Sequence, residues 1–100
     1  MSIFLVSFDL KYDATYSKRY DSFMEQVKKG GKWWADTTSF VAVHTDETID
    51  EFCSRIYLSS DILESKDLFL VLDAEVKSGR VRGPVSDQYL FTLLPFVKKL

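Results

Sequence analysis

Three features of this 100-residue sequence predict an α+β fold: strand-length apolar runs at residues 2–10, 40–43 and 67–73, amphipathic helix-length stretches between them, and no repeat, linker or low-complexity segment. A hydrophobic content of 46% with 15% aromatics suffices for one packed core without disulfide or metal staples, so residues 1–100 are expected to form a single domain. The order strand, helix, strand or hairpin, helix, strand fits the ferredoxin-like split βαβ (βαββαβ) arrangement. In that arrangement two helices pack on one face of an antiparallel sheet; here a short C-terminal extension follows.

Ser2 to Leu10 opens the chain with an almost continuous apolar run holding one carboxylate, Asp9. Its Ile, Val and Phe content suits a mid-sheet strand buried on both faces. At a period of two, Ile3, Leu5, Ser7 and Asp9 share one face, and Phe4, Val6, Phe8 and Leu10 share the other.

Tyr16, Tyr20, Phe23, Met24 and Val27 recur at helical spacing, with Thr15 or Asp13 placed to cap the helix and Gly30-Gly31 to stop it in a left-handed turn. The stripe is core-forming, not a base-stacking platform. Residues 32–44, rich in aromatic and β-branched side chains, should hold one strand or two, with Phe40-Val41-Ala42-Val43 the surest part. Asp36-Thr37-Thr38-Ser39 is then a turn between two strands or a bulge in one. Adjacent Trp33 and Trp34 cannot both face one core, so one packs elsewhere or at a subunit interface.

Thr45 or Asp46 should cap a second helix whose apolar face is Ile49, Phe52, Cys53, Ile56 and Tyr57. Cys53 lies inside that stripe and reads as a buried small side chain, not a nucleophile. Asp67 to Asp73 returns to a dense apolar run, another central strand. Residues 77–84 hold two of the four glycines and one of the two prolines and read as a turn or mobile loop. A short helix should begin near Ser86 or Asp87 and be disturbed at Pro95, which lacks an amide hydrogen.

Thirteen Lys and Arg against fifteen Asp and Glu give a net charge of −2, so no global field draws nucleic acid or an anionic membrane. Nucleic-acid binding would have to be local. Basic residues cluster at Lys28, Lys29 and Lys32, at Lys77, Arg80 and Arg82, and at Lys98 and Lys99; each group is either a phosphate contact or solvated surface. The longest apolar stretch falls far short of the roughly 20 residues a membrane helix needs. With a single cysteine and no basic flank before the first strand, the expectation is a cytosolic protein that does not engage a membrane. No Cys/His cluster, phosphate-cradling glycine loop or Ser/His/Asp set is visible; the lone His44 reads as structural or solvent-exposed.

Residues 3–10 (Ile-Phe-Leu-Val-Ser-Phe-Asp-Leu), the block Asp36 to Val43 followed by an acidic helix start, and Asp67-Leu68-Phe69-Leu70-Val71 together resemble the SinR-like branch of the small CRISPR-associated endoribonuclease superfamily. The resemblance covers about residues 1–75. It implies a ferredoxin-like homodimer in which an Asp ending the first strand faces its twin and binds a divalent metal for phosphodiester hydrolysis; by position that residue is Asp9. The implied activity is a Mg²⁺-dependent nuclease acting on RNA or DNA. The sequence departs from the superfamily in having Phe8 where Tyr is usual, and only Thr38-Ser39-Phe40 in place of a Gln-x-Ser-Val-Phe block.

A hard cation prefers carboxylate oxygens and keeps several waters, so one Asp9 from each subunit is a minimal site. Ser7, on the same face, and either Asp36 or the Thr38 and Ser39 hydroxyls, on a neighbouring strand, are candidates to position a phosphate or water, with Arg80 and Arg82 as candidate nucleic-acid contacts. The competing reading is a non-catalytic dimer that binds a nucleic acid or a protein.

Overall fold

Strand β1 (Ser2–Asp9) lies inside a six-stranded sheet of order β2-β3-β1-β4-β5-β6 in the computed structural model, which describes residues 2–75 and 78–100. The other strands are β2 (Trp33–Trp34), β3 (Phe40–Thr45), β4 (Leu68–Asp73), β5 (Gly79–Arg82) and β6 (Val97–Lys99). Three helices accompany them: α1 (Tyr16–Lys28), α2 (Ile49–Ser59) and α3 (Tyr89–Leu93). The result is a small mixed α+β domain. Every neighbouring pair is antiparallel except β5 with β6. No helix among the described residues is long and apolar enough to cross a membrane.

The alternation of β1 sends Phe4, Val6 and Phe8 toward α1 and α2, where they are buried with Val41 and Val43 of β3 and Phe69 and Val71 of β4. Phe23 of α1 sits between Phe8 and Phe69, ring centroids 4.9 and 5.5 Å away, and Phe52 of α2 lies 5.1 Å from Phe4. Each of these side chains contributes about 1.5–3 kcal/mol by leaving water. Cys53 is buried among them, and desolvation pushes its thiol up to about 12, which keeps it protonated and inert.

Helix α2 begins at a complete capping box: Thr48 Oγ1 accepts from the Glu51 N–H at 3.1 Å, and the Thr48 N–H donates to Glu51 Oε1 at 2.9 Å. The cap is therefore Thr48, not Thr45 or Asp46. Thr45 is buried at the end of β3, where its hydroxyl donates to Glu47. Helix α1 follows Thr15, whose side chain makes no cap bond and instead meets Asp13 and Arg19. Gly30 and Gly31 do follow α1, but for clearance rather than a left-handed turn. A Cβ on Gly30 would come within 2.8 Å of Thr45 Oγ1, and one on Gly31 within 2.8 Å of the His44 carbonyl.

Of three further expectations, the first is decided between its two alternatives and the other two are corrected. Residues 36–39 are a turn between two strands, with Ser39 at a φ of 59°. The glycine-rich stretch after residue 77 is not a loop throughout, since Gly79–Arg82 is β5, paired with β4 on one side and β6 on the other. Gly79 fits there because any side chain would strike Val97 and Leu72, and Gly83 (φ +124°) packs on Asp67, whose carbonyl would lie 2.1 Å from a Cβ. The C-terminal helix is only the five residues of α3, after which the chain re-enters the sheet as β6. Lys77, named above in a basic cluster, lies outside the described residues.

Candidate functional site

The second face of β1 is not buried within one chain. Ile3 is 52% exposed, Leu5 is half-buried, and Ser7 and Asp9 are exposed. Strand register places Ile3 beside His44, Leu5 between Ala42 and Leu72, Ser7 between Phe40 and Leu70, and Asp9 beside Leu68. All of these neighbours are half-buried. Because α1 and α2 pack on the opposite side, this face is an apolar platform with Ser7 and Asp9 at one end and His44 at the other.

The C-terminal segment covers one side of the platform and makes a cavity of about 320 Å³ whose lining includes Ser7, Asp9, Leu70, Val81, Asp87 and Leu90. Asp87 Oδ1 accepts the Tyr89 N–H at 2.9 Å, whereas Asp9 makes no hydrogen bond or ion pair among the described residues. The turn between β2 and β3 closes on the same end, since the Ser39 carbonyl accepts the Phe8 N–H at 3.1 Å. Ser7, Asp9 and the Thr38-Ser39 turn are thus gathered around the end of β1.

Arg80 and Arg82 are not part of that group. Val81, between them, shares the platform side with Leu70, so alternation turns both arginines to the helix side. There Arg80 Nε donates to Asp50 at 2.7 Å, and Arg82 donates to Glu64 at 3.2 Å with its guanidinium 3.9 Å over the Tyr57 ring. Their charge is spent on pinning β5 to α2 and the segment after it.

The chain beyond Asp9 is fixed by a buried ionic clasp. Arg19, 2% exposed, donates to the buried carboxylate of Asp67, to the Lys11 carbonyl at 2.6 Å, and to Asp13 at 2.9 Å. Asp67 also accepts the N–H groups of Lys11 and Leu63 at 3.1 and 2.9 Å, and Lys66 pairs with Asp13 at 2.5 Å. The Lys66 ammonium and then the Arg19 guanidinium hold the Asp13 carboxyl well below the usual carboxylate range; Asp67, first, and Asp13 raise the pKa of Arg19 further. A second ionic contact ties α1 to α2 through Arg55, which binds Glu47 and the Gln26 carbonyl and lowers the Glu47 pKa. Sequence reading missed the clasp, although Arg19 falls within the helical stripe of Tyr16, Tyr20 and Phe23, and a buried arginine demands a carboxylate.

A hard divalent cation would find one unpaired carboxylate, Asp9, with Asp87 in the same cavity and Ser7 as a neutral oxygen. No group of three or more His, Cys, Asp or Glu side chains suited to a metal ion occurs among the described residues. Compared with family models, curated proteins and solved structures, the chain matches none of them.

Proposed function

We propose that the protein is a homodimeric module whose seam is the open face of the sheet, built on a ferredoxin-like split βαβ unit. Support for the fold assignment comes from the order β2-β3-β1-β4 with antiparallel neighbours throughout and both helices on one side. A βαββαβ chain adopts this order when β3 inserts between β1 and β2. Strands β5 and β6 then extend the sheet past β4.

The observation that carries the dimer is the apolar row at the centre of the sheet, an exposed Ile3 with half-buried Leu5, Ala42, Leu70 and Leu72, which the C-terminal segment covers only on the Leu70 side. Contiguous exposed apolar surface of this kind marks an association site, and a two-fold contact lets one patch cover its own copy.

A second reading, metal-dependent phosphodiester cleavage, is favoured by one feature: Asp9 is unpaired and stands on the proposed seam. Two copies would contribute two such carboxylates toward one Mg²⁺, which would supply charge neutralisation at a phosphate, while Ser7 offers a hydroxyl to orient it. Sedimentation equilibrium tests the first reading. The wild-type chain is expected at twice the monomer mass and Leu5→Arg at the monomer mass with unchanged circular dichroism; a monomeric wild type at 100 μM, roughly a hundred times a typical micromolar constant, would sink the dimer. Cleavage of labelled RNA and DNA with Mg²⁺ or Mn²⁺ tests the second, which predicts loss of product with Asp9→Asn. Equal cleavage by both chains, or none by either, removes it.

A further inference from the structure

Strand β2 is a two-residue edge strand of two tryptophans, Trp33 50% and Trp34 45% exposed. Alternation turns them to opposite sides. Trp34 pairs with Ala42 and so stands at the rim of the open face, its ring 6.3 Å from Phe40; Trp33 pairs with Val43 and lies toward the end of α1. The Lys28 ammonium sits 4.1 Å over the Trp33 ring, a cation–π contact that leaves much of the indole in water.

Charge gathers around these rings in a chain that is acidic overall. Residues 28–44 carry Lys28, Lys29, Lys32 and His44 against a single carboxylate, Asp36. A shallow cleft of about 240 Å³ on this edge is lined by Lys32, both tryptophans and His44 among others, with no acidic residue. Lys29 and Lys32 make no ion pair among the described residues. Gly30 and Gly31, between Lys29 and Lys32 in sequence, let the chain pass tightly against the end of β3.

We infer that this edge binds a single-stranded nucleic acid, its bases stacked on Trp33 and Trp34 and its phosphates held by Lys28, Lys29 and Lys32. Interleaved cations and exposed aromatic faces are the two components of sequence-tolerant single-strand binding, because every base has a face that can stack. The competing occupants use only half of the surface. An acidic peptide would engage the lysines without needing the indoles, and an apolar partner would strand three ammonium groups. A duplex keeps its base faces hidden. The inference does not rest on Asp9; Trp33 and Lys28 lie on the helix side, outside the proposed seam, whereas Trp34 borders a cleft that also takes in Ile3 and Ala42, so the site meets the seam at its rim.

These are the only tryptophans in the chain, so their emission reads the site directly. Single-tryptophan variants Trp33→Phe and Trp34→Phe are titrated with 12-mer oligo(U) and oligo(dT), which separate RNA from DNA as the source of the strand. Quenching is expected in both variants, with a log–log salt slope of about −2 for three neutralised phosphates. Replacing Lys28, Lys29 and Lys32 together by Gln, in a chain whose circular dichroism is unchanged, should weaken binding at least about tenfold and flatten that slope. The same titration with Leu5→Arg and Asp9→Asn should quench Trp33 as before, which separates this site from the seam and from cleavage. Absence of quenching by either oligonucleotide, equal quenching by inorganic polyphosphate or by duplex, or indifference to the triple Lys→Gln change would each overturn it.

Discussion

The two faces of β1 have nearly the same hydrophobicity in sequence and opposite fates in structure. Phe4, Val6 and Phe8 are sealed under α1 and α2, while Ile3, Leu5, Ser7 and Asp9, interleaved with them, look onto a platform that the chain covers only on one side. The helix side is where the stability of the chain resides. The open side holds its unspent surface: apolar area without a lid, a carboxylate without a partner, and at its rim an exposed indole. A face that contributes little to folding is free to be specified by what it binds.

That contrast can be broken at its strongest point first. Phe69→Ala on the helix side should lower the free energy of unfolding by about 3–5 kcal/mol in urea titrations, because it empties a site between close-packed rings. Arg19→Ala should cost a similar amount, about 3–5 kcal/mol, by leaving Asp67 charged and buried without its cation. Gly83→Ala should come next, at more than about 1 kcal/mol, since it combines a φ of +124° with a collision against Asp67. Ile3→Ala on the open side, measured at dilution where the chain is monomeric, should change stability by about 1 kcal/mol or less. A large loss there would mean that the open face carries the fold, and the distinction between the faces would collapse.

The smallest effect is electrostatic and read in acid. Asp13 has a folded-state pKa held below its unfolded value of about 3.9, so its contribution is fully present above that value and is lost as pH falls through the folded one. Urea midpoints should hold steady down to about pH 5 and drop below pH 4, with a shallower drop in Asp13→Asn. Glu47, lowered chiefly by Arg55, acts with the same sign and leaves a residual slope. An unchanged acid limb in Asp13→Asn would show that the Lys66 contact does not persist in solution.

Much of the fold was legible because periodicity reports local geometry. The alternation in residues 2–10, the stripes of α1 and α2 and the apolar run at 67–73 located three strands and two helices, and Cys53 was placed in the core by its neighbours on the helix. Strand β5 was not legible, because Gly79 and Gly83 have the composition of a loop and meet a need for clearance and positive φ that only packed neighbours reveal. For the candidate site, Asp9, Ser7 and the Thr38-Ser39 turn were named from β1 alternation and a resemblance, and the structure gathers them at one end of β1. The arginines named with them went elsewhere, because a charged side chain pairs with whatever carboxylate the fold delivers, and Asp50 and Glu64 come from elements distant in sequence.

By itself, then, the sequence determined which residues alternate, which stripe is apolar and which side chains share a face, since these follow from the 2.0 and 3.6 residue periods of a single chain. Only the tertiary structure decided which of the two β1 faces is covered, which cation meets which anion, and that Trp33 and Trp34 stay in water at an edge. Those outcomes depend on contacts between segments tens of residues apart, and no local pattern records them.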